Sequence, residues 1–190
     1  MMAAEVSMEP GLDAKAQATF AIGRTARAVA GAVMGPVLVL GRLPAWPGES
    51  LRLAAETYRW SEDGESGTAL RYRVTTPPSR CEAGATPSAV NAALTAILRP
   101  LVTGLSDASG LTPKALWRRC SDMVAAVTVE GGYALGDAAS AMKTASGVLA
   151  VPNAPLFNRQ TGFQHVVLRN CDGEALEDRW FLRRGPRWRR

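Results

Sequence analysis

The side chains best suited to chemistry at neutral pH are few in this sequence: one histidine and three cysteines in 190 residues. His165 has an unperturbed pKa close to neutrality and could act as a general base. Glu177 and Asp178 follow it and could carry a proton to or from a bound substrate. His165 also reads as a partly buried strand residue, and Glu177 and Asp178 as surface members of a β-hairpin. A single histidine excludes a metal site built from two or more imidazoles within one chain. The G-x-G-x-x-G, P-loop, G-x-S-x-G, H-E-x-x-H and C-x-x-C patterns do not occur, so the sequence lacks the local signature of a dinucleotide enzyme, an NTPase, a serine hydrolase, a zincin or a dithiol oxidoreductase.

Cys81, Cys120 and Cys171 are odd in number and far apart, which argues against a disulfide scaffold and fits a reducing cytoplasm. Cys120 falls on the apolar face of an expected helix and reads as a small core residue. Cys171 reads as a turn residue. Cys81 lies in an expected connector, the most exposed setting of the three, with Arg80 as the neighbour able to lower its pKa.

A second set of residues suits binding. Trp117, Arg159, Arg183 and Arg184 could hold an anionic or aromatic small molecule, because guanidinium groups grip carboxylates in two-pronged fashion and stack on rings. The formal charge is +5, but six arginines lie between Arg179 and Arg190 with no acid among them. The rest of the chain is near neutral. No aromatic platform accompanies this basic end, so it reads as a solvated tail, and nucleic acid is not an expected partner.

The elements that must position these residues follow from caps and periodicity. Length and a hydrophobic content of 47% fit one domain with a real core. Asp13 is the expected N-cap of an alanine-rich helix, with residues 1–12 as a disordered N-terminus. Pro36 is expected to kink or break that helix, leaving Val37–Leu40 as a separate piece. Thr57–Trp60 and Leu70–Val74 alternate as strands around a longish acidic loop, Ser61–Thr68. Residues 76–87 read as a connector. Thr86-Pro87 and Thr112-Pro113 open two further helices, the second ended or bent by Gly131-Gly132. Asp137 caps a shorter helix that runs to Leu149. Strands at His165–Arg169 and Arg179–Arg183 then flank the turn residues Asn170-Cys171-Asp172-Gly173. Helices and strands are grouped rather than alternating, so the expected fold is α+β: helices packed with antiparallel hairpins in one compact domain of two similar-sized halves, spanning residues 13–190. The acidic N-terminus is not a secretory leader. The best apolar stretch, Ala26–Leu40, contains two glycines and a proline and falls short of the about 20 residues of a membrane span. A cytoplasmic protein without membrane association is expected.

Four segments in order resemble one known family: Gly23–Pro44, ending Val-Leu-Val-Leu-Gly-Arg-Leu-Pro; Leu111-Thr112-Pro113-Lys114-Ala115-Leu116-Trp117; Pro155-Leu156-Phe157-Asn158-Arg159-Gln160; and Trp180-Phe181-Leu182-Arg183-Arg184. They are similar to the FhuF-like ferric-siderophore reductases. The resemblance implies a cytoplasmic iron-reducing protein with a two-iron, two-sulfur cluster. It also implies four cysteine ligands at the extreme C-terminus: an adjacent pair after an Arg-rich strand, then a C-x-x-C. Here Arg183-Arg184 is followed by Gly185-Pro186-Arg187-Trp188-Arg189-Arg190, with neither pair. A cluster needs converging thiolates or imidazoles, so no cluster, no siderophore reduction and no cofactor are expected. Three functions compete. One is a repurposed enzyme for a non-redox step (cyclisation, isomerisation or elimination) in a specialised biosynthetic pathway. Another is a non-catalytic module for a ligand or partner, a second copy of the chain included. The third is a reductase using a non-standard cofactor such as flavin, or haem held by His165 or a cysteine.

Overall fold

The computed structural model describes residues 11–45, 51–75, 81–158 and 161–184. Four helices carry the core, and each starts where a short polar side chain satisfies an exposed N–H. Asp13 accepts from the Ala16 N–H at 2.7 Å and opens α1, Ala14–Leu40. Thr86 and Thr112 cap α2, Pro87–Ser109, and α3, Pro113–Ala134, each with proline in the first turn. Asp137 caps α4, Ala138–Leu149. Gly41 and Gly110 close α1 and α2 in the left-handed region at φ 62° and 70°, which glycine adopts without a Cβ penalty.

Pro36 does not break α1, which continues through it to Leu40. Proline removes one backbone hydrogen bond, but Val33, Met34 and Val37 around it are buried. That packing outweighs the local cost. Pro100 is likewise carried inside α2 between buried Leu98 and Val102. α3 runs two residues past Gly131-Gly132, to Ala134. A Cβ on Gly132 would stand 2.7 Å from the Ala141 Cβ and 2.9 Å from the Ala138 Cα. The glycine therefore sits where α4 needs close approach. Because the prolines leave both helices intact, α1 and α2 are long and apolar enough by length and composition to cross a bilayer, against the sequence expectation. Half of the apolar stretch of α1, and 39% of that of α2, is buried inside the protein.

One core joins the helices. It runs from Ile22 and Met34 of α1 through Leu94 and Leu98 of α2 and Leu116 and Val124 of α3 to Val148 of α4. Each such side chain contributes about 1.5–3 kcal/mol by leaving water. Two buried polar links fix the packing. Asn91 on α2 donates to the Val148 carbonyl at 2.8 Å, tying α2 to α4. Ser121 on α3 donates to the Leu156 carbonyl at 2.8 Å, pinning the segment that leads into the last hairpin.

The strands form three antiparallel pairs. β1, Arg42–Pro44, pairs with β4, Cys81–Ala83. β2, Arg52–Glu62, pairs with β3, Glu65–Thr75, as an eleven-residue ribbon. β5, Thr161–Arg169, pairs with β6, Ala175–Arg184. The acidic loop expected between the first strands is mostly strand. Asp63 and Gly64, at φ 49° and 83°, make a two-residue turn, the type that matches the twist of a hairpin. The last turn is as expected: the Asn170 side chain accepts from the Asp172 and Glu174 N–H groups at 3.1 and 2.8 Å. The fold is α+β, four helices with antiparallel pairs of strands. Residues 1–10, most of the expected N-terminal tail, and residues 76–80 of the connector lie outside the described residues.

Candidate functional site

The expected catalytic residues fall on the β5–β6 hairpin. His165 lies opposite Trp180, and their rings stack at 4.9 Å between centroids, 24° apart in plane. The Trp180 backbone N–H donates to the Tyr133 hydroxyl, which anchors this strand at the C-terminal end of α3. Asp178 lies opposite Val167 and Glu177 opposite Leu168; their side chains lie outside what is described. So do those of Arg183 and Arg184, opposite Gly162 and Thr161. Arg159 lies outside the described residues. Trp117 is half-buried at the start of α3, against the core. It precedes Tyr133 by sixteen residues, about 24 Å of helix at 1.5 Å per residue. Trp117 and the His165–Trp180 stack therefore occupy different ends of α3 and do not share one cleft.

The cysteines also stand apart. Cys81 is half-buried in β4 opposite Pro44 rather than in an exposed connector, because β4 pairs with β1. Cys171, at the tip of the last hairpin, is the exposed one. Cys120 is fully buried in the core, and burial pushes its thiol up to about 12 from an ordinary 9.0. These positions do not converge on one point, so they do not supply the four-thiolate set that the family resemblance implies. Among the described residues, no group of three or more His, Cys, Asp or Glu is placed to hold a metal ion.

Two concavities among the described residues lie elsewhere, around the β2–β3 ribbon. Leu70 and Tyr72 turn inward from β3 and are buried, following the two-residue alternation of a strand. Beside them a cavity of about 380 Å³ opens between the ribbon, α1 and α2. Its walls come from Val29 of α1, Ala93, Ile97 and Leu101 of α2, and Leu53 and Val74 of the ribbon. Two of the described lining residues have polar side chains: Thr25, itself buried, and Arg52, exposed as the first residue of β2.

No protein family, curated protein or solved structure matches this chain.

Sequence reasoning missed the cavity because its walls are ordinary core residue types. Space arises where Ala93 and Ala96 present little side chain to the cavity, and the sequence alone does not show that the ribbon forms its other wall. A wider groove lies on the other flank of the ribbon, between α1, α3 and β3. There Arg27 and Glu130 form a two-pronged ion pair at 2.9 and 2.5 Å. The hydrogen bonds to Glu130 raise the Arg27 pKa above its ordinary value, against the opposing effect of partial burial.

Proposed function

We propose that this protein binds a small amphipathic anion in the cavity between α1, α2 and the β2–β3 ribbon, with the apolar body inside and the acidic group at Arg52. The lining of the cavity carries the reading. About 380 Å³ of mostly apolar wall with one guanidinium at its edge has the size and polarity of a small-molecule site, in which a few polar groups orient an otherwise apolar ligand.

Binding is favoured over turnover by the same lining. Among the described residues it contains no carboxylate, imidazole, thiol or amine, so these walls offer neither a general acid–base pair nor an activated nucleophile. His165, the expected base, is not among its described lining residues. In this reading the chain is a FhuF-like scaffold that holds a ligand without the cluster of that family.

The test is calorimetric titration of the full chain with octanoate, 3-phenylpropionate and neutral octanol. The carboxylates should bind about tenfold more tightly than octanol, the scale of one charge-assisted hydrogen bond in a partly exposed setting. Arg52→Gln should erase that preference while leaving octanol binding unchanged. Equal binding of octanoate and octanol to the native chain would remove Arg52 from the site. Absence of binding by all three would remove the cavity.

A further inference from the structure

The groove on the other flank of the ribbon has a volume of about 630 Å³. Its floor is a bare stretch of α1, where Ala28, Gly31 and Ala32 carry almost no side chain. A Cβ built on Gly31 would meet nothing within 4 Å, so the helix backbone is open to an occupant. Four arginines line the groove, Arg24 and Arg27 from α1 and Arg71 and Arg73 from β3. Tyr58 and Tyr72 line it as well. The Arg71 guanidinium lies 5.4 Å from the Tyr58 ring centroid, within cation–π range.

Two carboxylates meet three of these guanidiniums, those of Arg27, Arg71 and Arg73. Glu130 engages Arg27 through both oxygens, and both side chains are about half exposed, at 52% and 54%. Glu56 meets Arg73 at 3.0 Å and Arg71 at 3.4 Å through a single oxygen, Oε2. One oxygen cannot satisfy two planar forks of five donors each. The groove thus keeps an excess of positive charge and of donors suited to oxyanions. Exposed ion pairs of this kind contribute little net stability, so an incoming anion displaces the glutamates at small cost.

We infer that this groove is a second ligand site, separate from the apolar cavity, for a small aromatic molecule bearing two or more carboxylate or phosphate groups. The oxyanions replace Glu130 on Arg27 and Glu56 on Arg73, and the ring packs beside the tyrosines over the bare floor. Without ligand, Glu130 and Glu56 stand in for its anionic groups. The inference does not depend on the cavity reading, because the two sites share only Val74 among their lining residues.

The experiment is calorimetry on the full chain with trimesate as aromatic carboxylate and adenosine diphosphate as aromatic phosphate. Citrate and pyrophosphate serve as ringless controls. At least one aromatic polyanion should bind at low ionic strength and about tenfold more tightly than its ringless control, the scale of one ring-stacking contact. Which of the two binds decides between carboxylate and phosphate. Arg73→Ala should weaken binding about tenfold. Glu130→Gln should strengthen it about threefold, by removing the competing carboxylate from a surface pair. A purely structural ion pair would not produce such a gain. Gly31→Leu should abolish binding without lowering the melting temperature and leave octanoate binding intact. Binding that survives Gly31→Leu unchanged, weakens in Glu130→Gln, or is absent for both aromatic probes would overturn the inference. So would displacement of the bound probe by a short single-stranded oligonucleotide at concentrations far below that of the probe, because the occupant would then be a polymer.

Discussion

Ala93→Leu tests both the existence of the apolar cavity and its use. Ala93 is half-buried on α2 and lines the cavity. Leucine adds three carbons that would point into about 380 Å³ of space. At about 0.8 kcal/mol per buried methylene, full burial contributes about 2.4 kcal/mol. Ordering the leucine rotamer costs about 0.5–1 kcal/mol, and the change in helix propensity costs a few tenths. The expected net gain is about 1–1.5 kcal/mol, or a rise of about 2–6 °C in melting temperature for a chain of this size. Urea unfolding should show a higher midpoint with an unchanged slope, the sign that stability and not the unfolded state has changed. Octanoate binding should fall about tenfold, because a leucine side chain removes roughly one contact surface of a ligand this small. A loss of more than about 1 kcal/mol would mean that the site is already packed, since overfilling a filled core costs 1–3 kcal/mol. A gain in stability with octanoate affinity unchanged would mean that the cavity is real but is not where the ligand sits.

Gly132→Ala should destabilise by about 1–3 kcal/mol in thermal melts, because its Cβ would crowd Ala138 and Ala141. Helix propensity alone predicts the opposite sign, and the open site at Gly31 should show it, with Gly31→Ala stabilising by about 0.5–1 kcal/mol. Asn91→Ala should cost about 1–3 kcal/mol in urea unfolding by depriving the buried Val148 carbonyl of its donor; a loss near zero would refute that link. The buried Cys120 thiol, pushed up from 9.0 to about 12, contributes stability that is fully present below pH 9 and is lost as pH rises toward 12, at about 1.4 kcal/mol per pH unit. Urea midpoints measured from pH 8 upward should fall more steeply in the native chain than in Cys120→Ala, and parallel slopes would refute the assignment.

The sequence was most legible where one residue and its near neighbours decide the outcome. Asp13, Thr86, Thr112 and Asp137 each cap the helix expected of them, because a cap is a bond across three residues. Asn170 organises its turn for the same reason. Expectations failed where distant packing outvotes a local preference. Pro36, expected to kink or break its helix, is carried through it by the burial of its neighbours. Asp63-Gly64 is the exception, a local hairpin signal hidden in an acidic stretch that looked like loop.

The candidate sites were least legible, and the reason is geometric. Residues whose chemistry shows in their names, His165, Glu177, Asp178 and Trp117, drew attention to the last hairpin and the start of α3. The concavities instead arise from what is missing at Ala93, Ala96 and Gly31, and from pairings between distant parts of the chain. Arg27 meets Glu130 across 103 residues. Arg71 and Arg73 reach the same groove because the β2–β3 register sets Glu56 opposite Arg71 and keeps Leu70 and Tyr72 inward. A one-residue slip would exchange the two faces of the ribbon, burying guanidiniums against α1 and exposing Leu70 and Tyr72. The inward Leu70–Tyr72 pair therefore specifies the fold and, by the same alternation, fixes which arginines stay solvated at the groove.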